Sequence, residues 1–154
     1  MIVADMLTPQ RIKIPLRGGT KTEVITELVD TLAANGDISD AAGIRRAVLQ
    51  RERTASTCIG HGLALPHAKT DRTDRSLLAL GRTVEPVEFG DGHSRPVTLV
   101  VLLIGPPEDA SRQIQLLAHL SRLMSIDRLR RQLNRAMTPR EVIDVIASQE
   151  GTAT

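Results

Sequence analysis

The chain has 154 residues, 41% of them hydrophobic and 25% charged, with four histidines, one cysteine, one phenylalanine and neither tryptophan nor tyrosine. A chain of this length supports one domain that buries about 70% of the surface its unfolded form exposes, and the scarcity of aromatic residues assigns the core to Leu, Ile, Val, Ala and Met. The formal net charge of +2 excludes a polycation, the lone Cys58 excludes an internal disulfide and fits a reducing compartment, and the longest apolar run, residues 96–105, falls short of the roughly 20 residues a membrane helix needs.

The first residues include Asp5 and no extended apolar core, unlike a signal peptide, so a soluble, cytoplasmic protein is expected. "RIKIPL", residues 11–16, alternates as a short strand. Thr20 and Glu23 form a capping box ahead of Val24, Ile25, Leu28, Val29 and Leu32, which recur at helical spacing up to Asn35 and Gly36. Ser39 is the expected cap of a second helix through Ile44, Val48 and Leu49, ending near Arg51 and Glu52. From Thr57 the texture becomes glycine-rich, with residues 63–66 short and extended.

Residues 76–84 and 97–104 are strand-like, the second apolar on both faces as in a covered central strand. Residues 88–96 between them read as loop. After Pro106 and Pro107 a helical stripe is expected through Ile114, Leu117, Leu120 and Met124, then Leu129 and Leu133. Thr138, Pro139 and Glu141 supply the N-cap, first-turn proline and box glutamate of a last helix. The order predicts an α/β fold: a single domain with a mixed β-sheet flanked by helices.

"GHGLALPHAK", residues 60–69, carries the densest chemistry. Gly60 and Gly62 permit backbone conformations that a Cβ would obstruct, and Pro66 fixes its own φ and holds Leu65 extended. His67 therefore leaves a strand end on a stiff backbone, where it serves either as an ordinary surface histidine or as a nucleophile with one ring nitrogen hydrogen-bonded and the other presented outward. Around it stand Arg51, the hydroxyls of residues 54–57, glycine amides and Lys69. Phosphoryl transfer asks a protein for that kind of positioning and charge stabilisation. The chain holds no Walker-type loop to bind a nucleotide, so a phosphoryl donor would be another protein.

"RERTASTCIGHGLALPHAK", residues 51–69, resembles the signature of the type 2 enzyme IIA domains of the bacterial phosphotransferase system, the fructose and mannitol class that includes the nitrogen-regulatory IIA proteins. The similarity continues through "PVEFGDGHSRPVTLVVLLIGPP" and "LNRAMTPREVIDVI" and implies a family domain over residues 5–148, with 149–154 a short C-terminal tail. The resemblance implies that His67 accepts a phosphoryl group on Nε2 from phosphorylated HPr, or its nitrogen-branch counterpart. It would pass the group to a IIB component or carry it as a regulatory mark, with regulated partner proteins as the partners in that case. Arg51 matches the family arginine and would pair with the phosphoryl oxygens, or else form a helix-end salt bridge. Thr57 would donate to the phosphoryl group or cap a turn. No IIB or IIC segment is recognisable in the chain, so a free-standing IIA is expected, with no cofactor.

The match departs from the family at Gln113, where many members carry a second active-site histidine. An amide donates a hydrogen bond but holds no charge at any accessible pH. The alternative function is therefore a non-catalytic docking module on the same fold. His119 lies about 240° around the helix from Gln113 and reads as a packing or surface histidine. His61 joins His67 in one cleft only if a turn at the glycines cancels the roughly 20 Å that six extended residues span. Cys58, His61 and His67 have metal-ligand chemistry but no fourth ligand at a recognised spacing, so no metal is expected. Arg122, Arg128, Arg130, Arg131, Arg135 and Arg140 form a basic run that reads as a solvated helix face, not a nucleic-acid surface.

Overall fold

The computed structural model describes residues 3–90 and 95–152. After two 3-10 turns, Ala4–Met6 and Pro9–Arg11, comes strand β1, Ile12–Leu16. Thr20 Oγ1 accepts from Glu23 N at 3.2 Å, and Glu23 Oε1 accepts from Gly19 N at 3.1 Å, which starts helix α1, Lys21–Ala34. Helix α2, Ala41–Thr54, is capped by Asp40 and not by the expected Ser39: Asp40 Oδ1 accepts from Gly43 N at 2.9 Å. A carboxylate there also meets the positive end of the helix dipole. The helix continues past Arg51 and Glu52 because Glu52 extends the buried stripe of Ile44 and Val48 at intervals of four.

Three short strands follow, β2 (Cys58–Gly60), β3 (Leu63–Ala64) and β4 (His67–Lys69), then the long β5 (Leu77–Val87) and β6 (Val97–Gly105). β5 reaches beyond the expected residue 84, and the centre of the expected loop, residues 91–94, lies outside the described residues. After a third 3-10 turn, Pro107–Asp109, the chain is helical: α3 (Ala110–Met124), α4 (Asp127–Arg135) and α5 (Pro139–Thr152). The predicted box at α5 forms, with Thr138 Oγ1 accepting from Glu141 N at 3.2 Å and Glu141 Oε2 accepting from Met137 N at 2.9 Å.

The sheet is mixed, in the order β1-β5-β6-β3-β2. β1 runs parallel to β5, β5 antiparallel to β6, and both β3 and β4 parallel to the other edge of β6. β3 meets β6 at Leu99 and Val100, and β4 meets it from Leu103 to Gly105. Between them Leu103 N donates to Pro66 O at 3.0 Å, so residues 62–69 ride along one strand edge with a single proline interruption.

β6 is buried on both faces, as its apolar run predicts. Leu99, Val101 and Leu103 pack with α3, α4 and α5, while Val100, Leu102 and Ile104 pack with α1, α2 and Phe89. Helices thus cover both sides of the sheet. On α3 the buried positions are Gln113, Leu116, Leu120, Leu123 and Met124. The expected stripe through Ile114 and Leu117 is rotated: Ile114 is 68% exposed and Leu117 only partly buried, because these two border a cleft and not the sheet.

Residues 149–152, expected as tail, continue α5. Glu150, only 4% exposed, accepts from Val3 N at 2.7 Å, Ala4 N at 3.0 Å and His119 Nε2 at 2.7 Å. It ties both ends of the chain to α3, and His119 is a packing histidine as expected. Hydrogen bonds to a buried charged group contribute about 1.5–3 kcal/mol each. Glu150→Ala should therefore lower unfolding free energy by about 2 kcal/mol or more in a urea titration. A loss below about 0.5 kcal/mol, the range of ordinary surface changes, would show that the terminus is not anchored this way.

Candidate functional site

Where β4 leaves the edge of β6, the chain opens into a cleft of about 470 Å³ between α2 and α3. β4 contributes His67, Ala68 and Lys69, α2 contributes Arg51, and α3 contributes Gln113, Ile114 and Leu117. Three distant sequence segments that the glycine-histidine motif alone could not connect are assembled here.

His67 is half-buried, and its Nδ1 lies 2.8 Å from Leu65 O. A carbonyl oxygen only accepts, so Nδ1 carries the proton. In the neutral ring Nε2 then holds the free lone pair, and it has no partner among the described residues. Burial is the strongest influence on the ring and pushes its pKa below the usual histidine value; Arg51 and Lys69 act in the same direction, while the Leu65 bond and Glu52 oppose them. The ring is therefore neutral, with one defined tautomer, at pH 7.

The backbone that presents this ring is itself anchored. Glu52, 3% exposed, accepts from Thr57 N at 3.1 Å and 3.2 Å and from Thr57 Oγ1 at 3.1 Å. Thr57 O accepts from Leu65 N at 3.0 Å, and Leu65 O receives the His67 proton. A buried carboxylate thus connects through two residues to the imidazole. Thr57 takes the turn-forming alternative: its hydroxyl is committed to Glu52 and does not line the cleft.

Arg51 lines the cleft, and its Nη1 donates to Ala55 O at 3.0 Å, closing the end of α2. Among the described residues it makes no ion pair, so the expected alternative of a helix-end salt bridge is replaced by a carbonyl contact. Gln113 is buried, and its Nε2 donates to Ala68 O at 3.0 Å. Because the acceptor is a carbonyl, the amide orientation follows from chemistry. Gln113 therefore braces β4 against α3 beside the histidine. His61 does not share this cleft. It sits at the β2–β3 turn with φ 58° and borders a second hollow at the start of β6, because β3 carries the chain along β6 without folding back.

Among the described residues no group of three or more His, Cys, Asp or Glu side chains is placed to hold a metal ion, and no helix is long and apolar enough to cross a membrane. Three participants escape a reading of the motif alone. Glu52 looks like solvated charge in "RERT", yet its spacing of four from Val48 already puts it on the buried stripe. Ile114 and Leu117, read as core, form the apolar wall of the cleft.

The family model for the phosphoenolpyruvate-dependent sugar phosphotransferase system, EIIA 2, matches residues 5–149. The chain is 32% identical over 146 residues to the fructose-specific EIIABC component of Bacillus subtilis, covering 95% of this chain and 23% of that protein. It therefore spans about a quarter of that longer relative. A fructose-specific EIIA component of Haloferax volcanii is 31% identical over 150 residues, covering 96% of this chain and 97% of the relative. Among solved structures, the nitrogen regulatory protein IIA-Ntr of Neisseria meningitidis superposes with a TM-score of 0.85 at 25% identity, over 94% of this chain and 98% of that one. The Escherichia coli complex of enzyme IIA mannitol with phosphorylated enzyme IIB mannitol shares the fold, at a TM-score of 0.79 and 21% identity, over 92% of this chain and 97% of that one.

Removing the charge of Glu52 tests the connection to the ring. Glu52→Gln should lower the His67 pKa further in an NMR titration of the imidazole, since a nearby negative charge that favours the protonated form has gone. Glu52→Ala should in addition destabilise the fold by about 1–3 kcal/mol through the orphaned Thr57 groups. An unchanged titration in Glu52→Gln would remove Glu52 from the site.

Proposed function

The chain belongs to the EIIA 2 family of the phosphoenolpyruvate-dependent sugar phosphotransferase system, and we propose that it is a phosphoryl carrier whose acceptor is His67 Nε2. The observation that supports this most is the His67 tautomer: a proton held on Nδ1 by Leu65 O leaves a nucleophilic lone pair at the cleft. The donor is a phosphohistidine on an HPr-like protein. The Nε2–P bond forms as the donor's N–P bond breaks, and the departing imidazole keeps the electron pair of that bond. Arg51 and Lys69, on either side of His67, meet the charge on the phosphoryl oxygens. Gln113 holds the strand and contributes no charge. The recipient is a IIB component or a regulated partner protein, and the exposed Ile114 beside the ring gives either a hydrophobic surface to dock on.

A second reading, a docking module without transfer, rests on Gln113. Its amide donates to Ala68 O and carries no charge, so it presents no cation to a phosphoryl group.

Incubation with phosphoenolpyruvate, enzyme I and HPr should yield an acid-labile phosphorylated form that His67→Ala abolishes. Arg51→Ala should slow its formation by about 100-fold, the usual effect of losing one charge-stabilising donor. No phosphorylation with any phosphocarrier donor would select the docking reading.

The lowered pKa of His67 sets a pH dependence. The unfolded chain binds the proton more readily than the folded one, so stability attributable to His67 is complete above the ordinary histidine value of about 6.5. It is lost as pH falls from there through the lower folded value. His67→Gln should flatten this limb of an unfolding-midpoint profile while leaving the region above pH ~6.5 unchanged. An identical acid limb in the variant would assign it to other groups.

A further inference from the structure

The second hollow, of about 290 Å³, lies at the start of β6, while His67 pairs with Leu103 farther along the same strand. Thr98 and Leu103 are five residues apart, roughly 17 Å at strand rise, so the two clefts are separate sites. On one side Arg95 and Thr98 enter from β6 and its approach; on the other, α4 brings Arg131 and Asn134; His61 projects from the turn between β2 and β3.

Three observations point to an anion. Arg95 and Arg131 are exposed, and neither makes an ion pair among the described residues. A third cation, Arg130, is only 13% exposed and is already tied to Asp127 and to Met124 O, which neutralises the one acidic side chain at the cleft. His61 is the only non-glycine among the described residues with positive φ, at 58°, between Gly60 at 91° and Gly62 at 77°. Glycine would occupy that position without strain. Instead a histidine is held there with no hydrogen bond of its own among the described residues and its side chain at the cleft, the kind of strained residue that clusters at ligand sites.

We propose that this cleft binds a small anion with two phosphoryl groups, of the class of pyrophosphate and the nucleoside diphosphates. Arg95 and Arg131 stand on different elements, one on each side, so each guanidinium fork takes one phosphoryl group. His61, Asn134 and Thr98 supply further donors. The near absence of apolar side chains at the cleft disfavours a hydrophobic ligand, and its size suits a metabolite and not a folded segment. The proposal stands independently of phosphoryl transfer at His67.

The test is a ¹H–¹⁵N NMR titration of the whole chain with sodium pyrophosphate at about 50 mM salt, where phosphate contacts are weakly screened. Saturable shifts are expected at residues 60–63, Thr98 and α4, with a Kd below about 1 mM. Arg131→Ala and Arg95→Ala should each weaken binding about tenfold or more, a loss near 1.4 kcal/mol, and His67→Ala should leave it unchanged. His61→Gly should raise the unfolding midpoint while weakening pyrophosphate binding. Shifts centred on His67, Arg51 and Lys69 would overturn the proposal, as would an equal response to sulfate at matched ionic strength. Tighter binding of a single-stranded oligonucleotide, with shifts spread from Arg122 to Arg140, would overturn it in favour of a nucleic-acid surface.

Discussion

One edge of a doubly buried strand determines what the rest of the molecule can do. β6 has apolar residues on both faces, and helices cover both, so its hydrogen-bonding edges must be filled from within the sheet. β5 takes one edge along most of its length; the other is taken by residues 62–69, which carry the glycine-histidine motif from Gly62 onward. The motif is therefore held in register by main-chain bonds from Thr98 N and Leu99 N to Gly62 O, Leu103 N to Pro66 O and Thr70 N to Gly105 O. The proline falls where the β3 and β4 pairings meet, a position at which its missing N–H leaves no gap in the ladder.

Two layers of control then act on His67. The main chain defines where the ring begins, and the Leu65 carbonyl defines which nitrogen holds the proton. Both depend on Thr57, whose carbonyl receives Leu65 N and whose own polar groups end on Glu52. A buried carboxylate is expensive to desolvate and is tolerated only when fully hydrogen-bonded. At Glu52 that condition converts a turn into a rigid support. Glu150 repeats the device elsewhere, gathering Val3 N, Ala4 N and His119 around one buried carboxylate.

Much of this architecture was readable from the sequence. The apolar run of β6 is continuous, the helices after Thr20 and Thr138 combine a periodicity with a cap, and each element forms where expected. Harder to read were the features in which a third element decides the outcome. Asp40 displaced Ser39 as a cap although both residue types suit the position. On α3, Ile114 and Leu117 have the spacing of core residues, but an adjacent cleft left them open while Gln113 went inward. His67 stood out through its local backbone grammar. The place of His61 stayed open because the same grammar does not reveal that β3 leads away from the turn and not back toward it.

The placement of Gln113 bears on how charge is shared at the cleft. An imidazole at that position could be protonated and face a phosphoryl group as a cation; an amide carries no charge. Its Nε2 is directed at the main chain of β4, one residue past His67. Were His67 phosphorylated as proposed, the electrostatic load would therefore fall, among the described residues lining the cleft, on Arg51 and Lys69. These flexible, partly solvated cations stabilise a dianion less than a buried one would. Under the proposed carrier role, a site built this way would hold its phosphoryl group less tightly than one with a third cation. Its transfer potential would be correspondingly higher, and the group would pass onward to a recipient more readily.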